Sequence, residues 1–402
     1  MLQTADGEKH LKALLDYDTR SIVRELKGRG VKIIGIACSY VPEESILGSG
    51  MFPWRVSGTQ TLPVSRASLY RSPDISLSYT HLLEAILLGE LDFLDGIILT
   101  DRDDDMRRLY DVVYDLKKFN LTYMMHVPYA NHAICVDEFA RSLKRLIETL
   151  EDFAEAKIDT MKLGHTIQTC NESRRLLRRV YELRKREWTP LNGTEVMKLV
   201  RLSMHMPKND FNGRLESLLP YLEARRAPLK SNRPRLLVSS DELDDLKYFE
   251  MIESEGAAIV MDDLDHGSRY LWEDVNPDEE PFRALAKRFL TLPDYARQST
   301  WKRQVERVIN WVKEFRVDGV IQLLEPRSLP RAFRSPYLEM RLKKEGIPAV
   351  TFTRQYPLGF VEQLRTRVGA FVEMLSASSN NPEVGNGFND KGRRHRFGEG
   401  NS

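Results

Sequence analysis

The pattern of apolar and polar positions divides the chain into two alternating regions with a helical stretch between them. Residues 31–36, VKIIGI, form an apolar run with β-branched side chains, as in a strand covered on both faces. A polar loop follows, Ala37-Cys38-Ser39-Tyr40. Pro42 then suits the first turn of a helix, where its missing N–H costs nothing. Glu43 and Glu44 come next, where the helix dipole favours carboxylates. Gly48 and Gly50 end that helix, and residues 52–56 resume an extended pattern. A leading helix is predicted over 11–29, closed by Gly28 and Gly30, and another over 82–91. Residues 94–99 and 121–127 read as strands. Between them lies an amphipathic helix over 103–119, with Met106, Leu109, Tyr110, Val113 and Leu116 on one face. From 136 to 224 strand signals vanish and helical period takes over. Strands return at 235–239, 257–261, 318–323 and 348–352. The segments LDGIIL (94–99) and VDGVIQL (317–323) resemble each other and hint at two similar halves.

The predicted fold is therefore α/β, with two Rossmann-like or flavodoxin-like domains of short parallel sheets joined by a helical block. The expected divisions are an N-terminal helix (1–30), a first α/β domain (31–135), a helical connector (136–228), a second α/β domain (229–375) and a disordered tail (376–402). Pro228, Ser231, Asn232 and Pro234 mark the second boundary, and a Ser-, Asn- and Gly-rich composition marks the tail.

Composition agrees with such a protein. The chain has 402 residues, and at about 100–200 residues per domain that allows two or three cores. Sixty basic residues against 59 acidic ones give a net charge of +1, so nothing global favours nucleic acid or an anionic membrane. No apolar run is long enough to span a bilayer. The first residues lack the layout of a secretory signal, and the expected compartment is the cytoplasm.

Open α/β sheets bind ligands beyond the carboxyl ends of their strands. Cys38, Ser39, Tyr40, Glu43 and Glu44, after the first strand, are thus candidate substrate-binding residues; an ordinary loop and helix start is the other reading. Asp101, Asp103, Asp104 and Asp105 either hold a hard cation or cap the helix that they open. His126, His132 and His165 have no metal-ligand spacing, and Cys135 and Cys170 read as apolar helix positions. There is no P-loop, GxSxG or dinucleotide fingerprint.

Several segments together resemble one family, the 2-hydroxyacyl-CoA dehydratase and benzoyl-CoA reductase subunits. They are GIACSYVPEESILGSGMFPWRV, GELDFLDGIIL, MRRLYDVV, NESRRLLRRVYELRK, DDLDHGSRYLW, PYLEMRLKKEGIPAV and QLRTRVGAFVEML, in order along residues 11–375. The resemblance implies a heterodimer of related subunits acting on an acyl-CoA thioester. In the family, a [4Fe–4S] cluster sits on three cysteines at the strand ends between the two α/β domains. An ATP-hydrolysing activator protein injects one electron, and a ketyl radical then loses a hydroxyl or begins ring reduction.

This sequence departs from the family at the cluster. Asp103 stands where the family has a cysteine before the MRRLYD helix, and Ser328 stands in place of the Cys-Asp-Pro cysteine. Another family cysteine precedes the helix leading to GELDFLDG; here that region is ISLSY (75–79), with Ser76. The family's Asp-Asp-Leu-Cys ends in Asp265. Iron in such clusters is held by soft thiolates; an aspartate at one ligand position is tolerated in some clusters, but the loss of all three thiols together is a different case. The expectation is a subunit without its own cluster, supplying pocket walls or scaffold beside a cluster-bearing relative. The alternative is a redox-inert binding or assembly protein that kept the fold. Arg365 and Arg367, in the hallmark helix with Gln363, would pair with carboxylates or with coenzyme A phosphates.

Overall fold

A computed structural model of the chain describes residues 4–72, 75–157, 160–226, 233–241, 243–292, 300–354 and 361–380. The leading helix is in fact two, α1 (Thr4–Leu15) and α2 (Thr19–Gly28). The break falls at Asp18, whose carboxylate accepts from the Arg20 N–H at 3.0 Å. Such a local side-chain bond competes with helix continuation and favours a cap instead. The first α/β half then runs β1 (Ile33–Ile36), α3 (Glu43–Gly48), β2 (Phe52–Arg55), α4 (Leu77–Leu88), β3 (Gly96–Thr100), α5 (Asp104–Leu116) and β4 (Leu121–Met125). Four helices fill the connector: α6 (Ala133–Ala154), α7 (Thr160–Leu183), α8 (Gly193–His205) and α9 (Lys208–Ala224).

The second half opens with β5 (Arg235–Ser239), α10 (Lys247–Ser254) and β6 (Ala258–Asp263). Next come α11 (Ser268–Leu271), α12 (Pro281–Thr291) and α13 (Trp301–Glu314), where the sequence reading had placed no element. The α13 stripe of Val305, Val308, Ile309 and Val312 is buried, at helical spacing. The half closes with β7 (Gly319–Leu324), α14 (Leu329–Lys344), β8 (Ala349–Thr353) and α15 (Val361–Asn380). Residues 376–380, expected to open the tail, instead continue α15, since extending a formed helix costs little. Residues 381–402 and most of the expected boundary at 228–235 lie outside the described residues.

Each half carries one four-stranded, all-parallel sheet, in the orders β2-β1-β3-β4 and β6-β5-β7-β8. The two orders are the same pattern, and the LDGIIL and VDGVIQL segments hold the same place in each. Asp95 and Asp318 directly precede β3 and β7. Asp95 Oδ2 accepts from the Ile33 N–H at 2.7 Å, and Asp318 Oδ2 accepts from the Arg235 N–H at 2.8 Å. Each aspartate thereby fixes the start of the neighbouring central strand. The glycines after them are sterically required: a Cβ on Gly96 would lie 2.8 Å from Leu121 Cβ, and one on Gly319 2.7 Å from Leu375 Cδ1.

One apolar core runs through the first half, the connector and one face of the second sheet. A smaller core fills the other face of that sheet, under α10 and α15. The α6–α12 and α3–α7 packings tie the connector to both halves. The carboxyl ends of the two sheets consequently face each other.

Candidate functional site

A cleft of about 320 Å³ opens where those strand ends meet. Ser76, Asp103 and Ser328 all line it, although they stand far apart in sequence. Each is the N-cap residue of a helix: Ser76 of α4, Asp103 of α5 and Ser328 of α14. Three helix N-termini, each a source of positive potential, thus converge on one space.

Carboxylates of the chain itself meet them. Asp103 Oδ1 accepts from the Met106 N–H at 2.8 Å, while its Oδ2 accepts from Tyr79 Oη at 2.9 Å and Arg102 Nε at 3.0 Å. Asp105 accepts from the Ser76 N–H at 2.8 Å. Ser328 Oγ donates to Asp241 Oδ2 at 2.9 Å. Glu325, just past β7, receives Ser76 Oγ at 2.5 Å and the Ser78 N–H at 2.7 Å. Of the two readings of the 101–105 acidic run, this geometry shows the capping one. Asp101 turns elsewhere and accepts from the Val127 N–H at 2.8 Å. Burial raises the Asp105 carboxyl above its usual range, the Ser76 N–H opposes that, and Asp103, Asp104 and Glu325 add to it.

The loop after β1 lies elsewhere. Cys38, Ser39, Tyr40, Glu43 and Glu44 are all at most 4% exposed, and none lines the cleft. Cys38 Sγ is 3.2 Å from Thr100 Oγ1, and burial pushes its thiol up. Ser39 Oγ donates to Asp265 O at 3.1 Å, across the two halves. Glu43 takes an ion pair from Lys208 Nζ at 2.8 Å and a bond from Tyr270 Oη, and Glu44 is bound by Arg174. Burial would raise the Glu43 carboxyl, but Lys208 and then Arg174 outweigh it and hold it below its usual range. The expected polar wall is instead a closed joint between the loop, α7, α9 and α11. A charged group is buried only with such partners.

Comparison with known proteins fits this architecture. The family model described as 2-hydroxyglutaryl-CoA dehydratase, D-component, matches residues 38–375. The chain belongs to the 2-hydroxyglutaryl-CoA dehydratase D-component family. It is 25% identical over 367 residues to the (R)-phenyllactyl-CoA dehydratase beta subunit of Clostridium sporogenes, covering 90% of this chain and 97% of that one. A benzoyl-CoA reductase subunit of Thauera aromatica is 25% identical over 354 residues, at 86% and 91% coverage. The beta subunit of (R)-2-hydroxyglutaryl-CoA dehydratase from Acidaminococcus fermentans is 25% identical over 367 residues, at 89% and 96% coverage.

The cleft's donors do not fit the iron–sulfur cluster that the family implies. The positions corresponding to family cysteines offer two hydroxyls and a carboxylate, each already hydrogen-bonded within the chain. Cys38 and Cys170 are buried away from the cleft, and Cys135 sits in the first turn of α6. Asp265 is buried and does not line the cleft, its Oδ2 3.5 Å from the Arg102 guanidinium. Among the described residues no group of three or more His, Cys, Asp or Glu could hold a metal ion. His126 bonds Asp101 at 2.5 Å. Arg365 is paired with Glu255 at 3.3 Å, and Arg367 lies over the Phe352 ring at 4.7 Å, so both serve the second half. No helix among the described residues is long and apolar enough to cross a membrane.

Sequence reasoning did not single out Asp241, Glu325 or Arg354. The signal was present for all three, since each is a polar residue one or two places beyond a strand of the second half.

Proposed function

We propose that the chain is a subunit of a 2-hydroxyacyl-CoA dehydratase- or benzoyl-CoA reductase-type complex and carries no [4Fe–4S] cluster of its own. A related, cluster-bearing subunit receives the electron from the ATP-dependent activator and hosts the ketyl-radical chemistry on the acyl-CoA. This chain supplies shape and position, which catalysis needs as much as electrons. One observation carries the reading: Ser76, Asp103 and Ser328 converge on a single cleft with no thiol among them. Each of the three relatives is named as one subunit of its enzyme, which supports assembly with another chain. A second reading, a redox-inert assembly protein, is favoured by the hydrogen bonds that Ser76, Asp103 and Ser328 already make within the chain.

Anaerobic purification separates these. The chain alone is expected to be colourless, with negligible iron and sulfide. Co-expressed with a cluster-bearing relative, it is expected to co-purify as a brown complex that turns over acyl-CoA. Near-stoichiometric iron in the isolated chain overturns the proposal. A stable complex whose turnover does not require this chain favours the assembly reading.

A further inference from the structure

The contact around Glu325 joins the first half of the chain to the second. Its Oε1 accepts from Ser76 Oγ at 2.5 Å and from the Ser78 N–H at 2.7 Å. Its Oε2 accepts from Ser78 Oγ at 2.7 Å and from the Arg354 guanidinium at 2.8 Å. Ser76 and Ser78 begin α4 in the first half; Glu325 and Arg354 follow β7 and β8 in the second. The four side chains are at most 7% exposed, and Arg354 is fully buried. The same guanidinium reaches Ser78 Oγ at 3.1 Å. A helix N-terminus, two hydroxyls and a buried guanidinium make a carboxylate receptor, built from both halves and filled by a carboxylate of the chain.

We propose that Glu325 is an internal ligand: it occupies a carboxylate-binding site formed by Ser76, Ser78 and Arg354, and this occupancy locks the two α/β halves together across the cleft. The inference rests on the cluster-free reading in one respect, that Glu325 is the resident anion there. Other contacts between the halves are looser or lie outside the cleft: Arg102 reaches Asp265 only at 3.5 Å, and Ser39, which does not line the cleft, meets the Asp265 carbonyl. Asp103 caps its own helix, and Asp241 with Ser328 stays within the second half. Replacing Glu325 by alanine would take the carboxylate away from the Ser76 and Ser78 donors and from the Arg354 guanidinium, which is the costly way to break a buried pair. The emptied receptor is then the size and charge for formate or acetate.

The test uses the full-length chain. Glu325→Ala is expected to melt several degrees below wild type. Added sodium formate should restore the loss saturably, because a ligand bound only by the native state stabilises it in proportion to the logarithm of its concentration. Sodium chloride at equal ionic strength should not, and formate should leave wild type unchanged. Glu325→Gln fills the space without the charge, so it should melt low and resist formate rescue. An alanine variant that melts with wild type, or responds alike to formate and chloride, overturns the proposal. If the alanine variant does not fold, hydrogen exchange on wild type decides: slow exchange at the Ser78 amide supports the lock, and fast exchange overturns it. Iron is assayed in the same samples. Iron in wild type sinks the cluster-free reading, whereas formate-insensitive Glu325→Ala in iron-free protein sinks the internal ligand alone.

Discussion

Two charged clusters join the halves of this protein, and they differ in what surrounds them. At the joint, Glu43 and Glu44 meet Lys208, Arg174 and Tyr270, with every member at most 7% exposed. At the cleft, Asp103, Asp104 and Asp105 stand with Asp241 around an open space, faced by three helix N-termini and by Arg102, which bonds Asp103 at 3.0 Å. The joint is balanced by full counter-charges brought from distant helices, so it is closed and obligatory. The cleft's aspartates are balanced by helix N-termini, by Arg102 on Asp103 and by solvent, so each is held less tightly than the glutamates of the joint. A pair of acidic residues at a strand end therefore says little until one knows whether cations or helix ends face them.

The joint should break hardest. Removing one member of a buried ion pair leaves an uncompensated charge and costs about 3–5 kcal/mol. Arg174→Met leaves Glu44 in that state and is expected to give a large drop in melting temperature or insoluble protein. The double variant Arg174→Met with Glu44→Leu should recover part of the loss, since apolar replacement of both partners is often tolerated. If the single variant melts like wild type, the joint is not the anchor described.

Glu43→Gln comes next, and pH sharpens it. The Glu43 carboxyl is held below its ordinary 4.5, so its stabilisation is fully present above that value. It is lost as pH falls through the lower folded value, where the native state must finally take up the proton. Wild type should therefore lose stability steeply below pH 4.5, and Glu43→Gln should start less stable and show a shallower decline. Buried His266 adds a component of the same sign at higher pH. Burial and then Arg55 hold its imidazole well below 6.5, so the unfolded chain takes up the proton first and stability begins to fall as pH drops past that value. Chemical unfolding at a series of pH values reads both.

The architecture was largely legible because its signals are local. Residues 31–36 and 94–99 are apolar, β-branched runs, and the 136–224 block holds helical period throughout. The Asp-Gly pairs at 95–96 and 318–319 marked two equivalent strand starts. The helices over 268–314 were missed, though the α13 stripe has ordinary helical spacing. The cleft was half legible: Ser76, Asp103 and Ser328 were found by where a family keeps its cysteines, and the structure brings them to one space. What no local pattern held was the pairing at distance. Nothing near Glu43 announces Lys208, and nothing near Glu325 announces Ser76, 249 residues away. A carboxylate at a helix start looks the same whether the dipole alone or a buried cation answers it.

The smallest effect tests that ambiguity, because its sign is opposite at the cleft. Asp105 is crowded by Asp103, Asp104 and Glu325, and burial with these neighbours raises its carboxyl above 3.8. A raised folded value means that the native state binds the proton more tightly than the unfolded chain does. The ionised form, present at neutral pH, is then the strained one, and this residue's contribution to stability improves as pH falls towards its folded value. Asp105→Asn keeps an oxygen for the Ser76 N–H and removes the charge. It should melt at or slightly above wild type at pH 7, with the gap closing as the solution is acidified. The same swap at the joint, Glu44→Gln, should do the reverse and destabilise at pH 7 by strengthening nothing and weakening the hold on Arg174. If both amides destabilise alike, the cleft is a second structural joint, and the contrast between the two clusters fails.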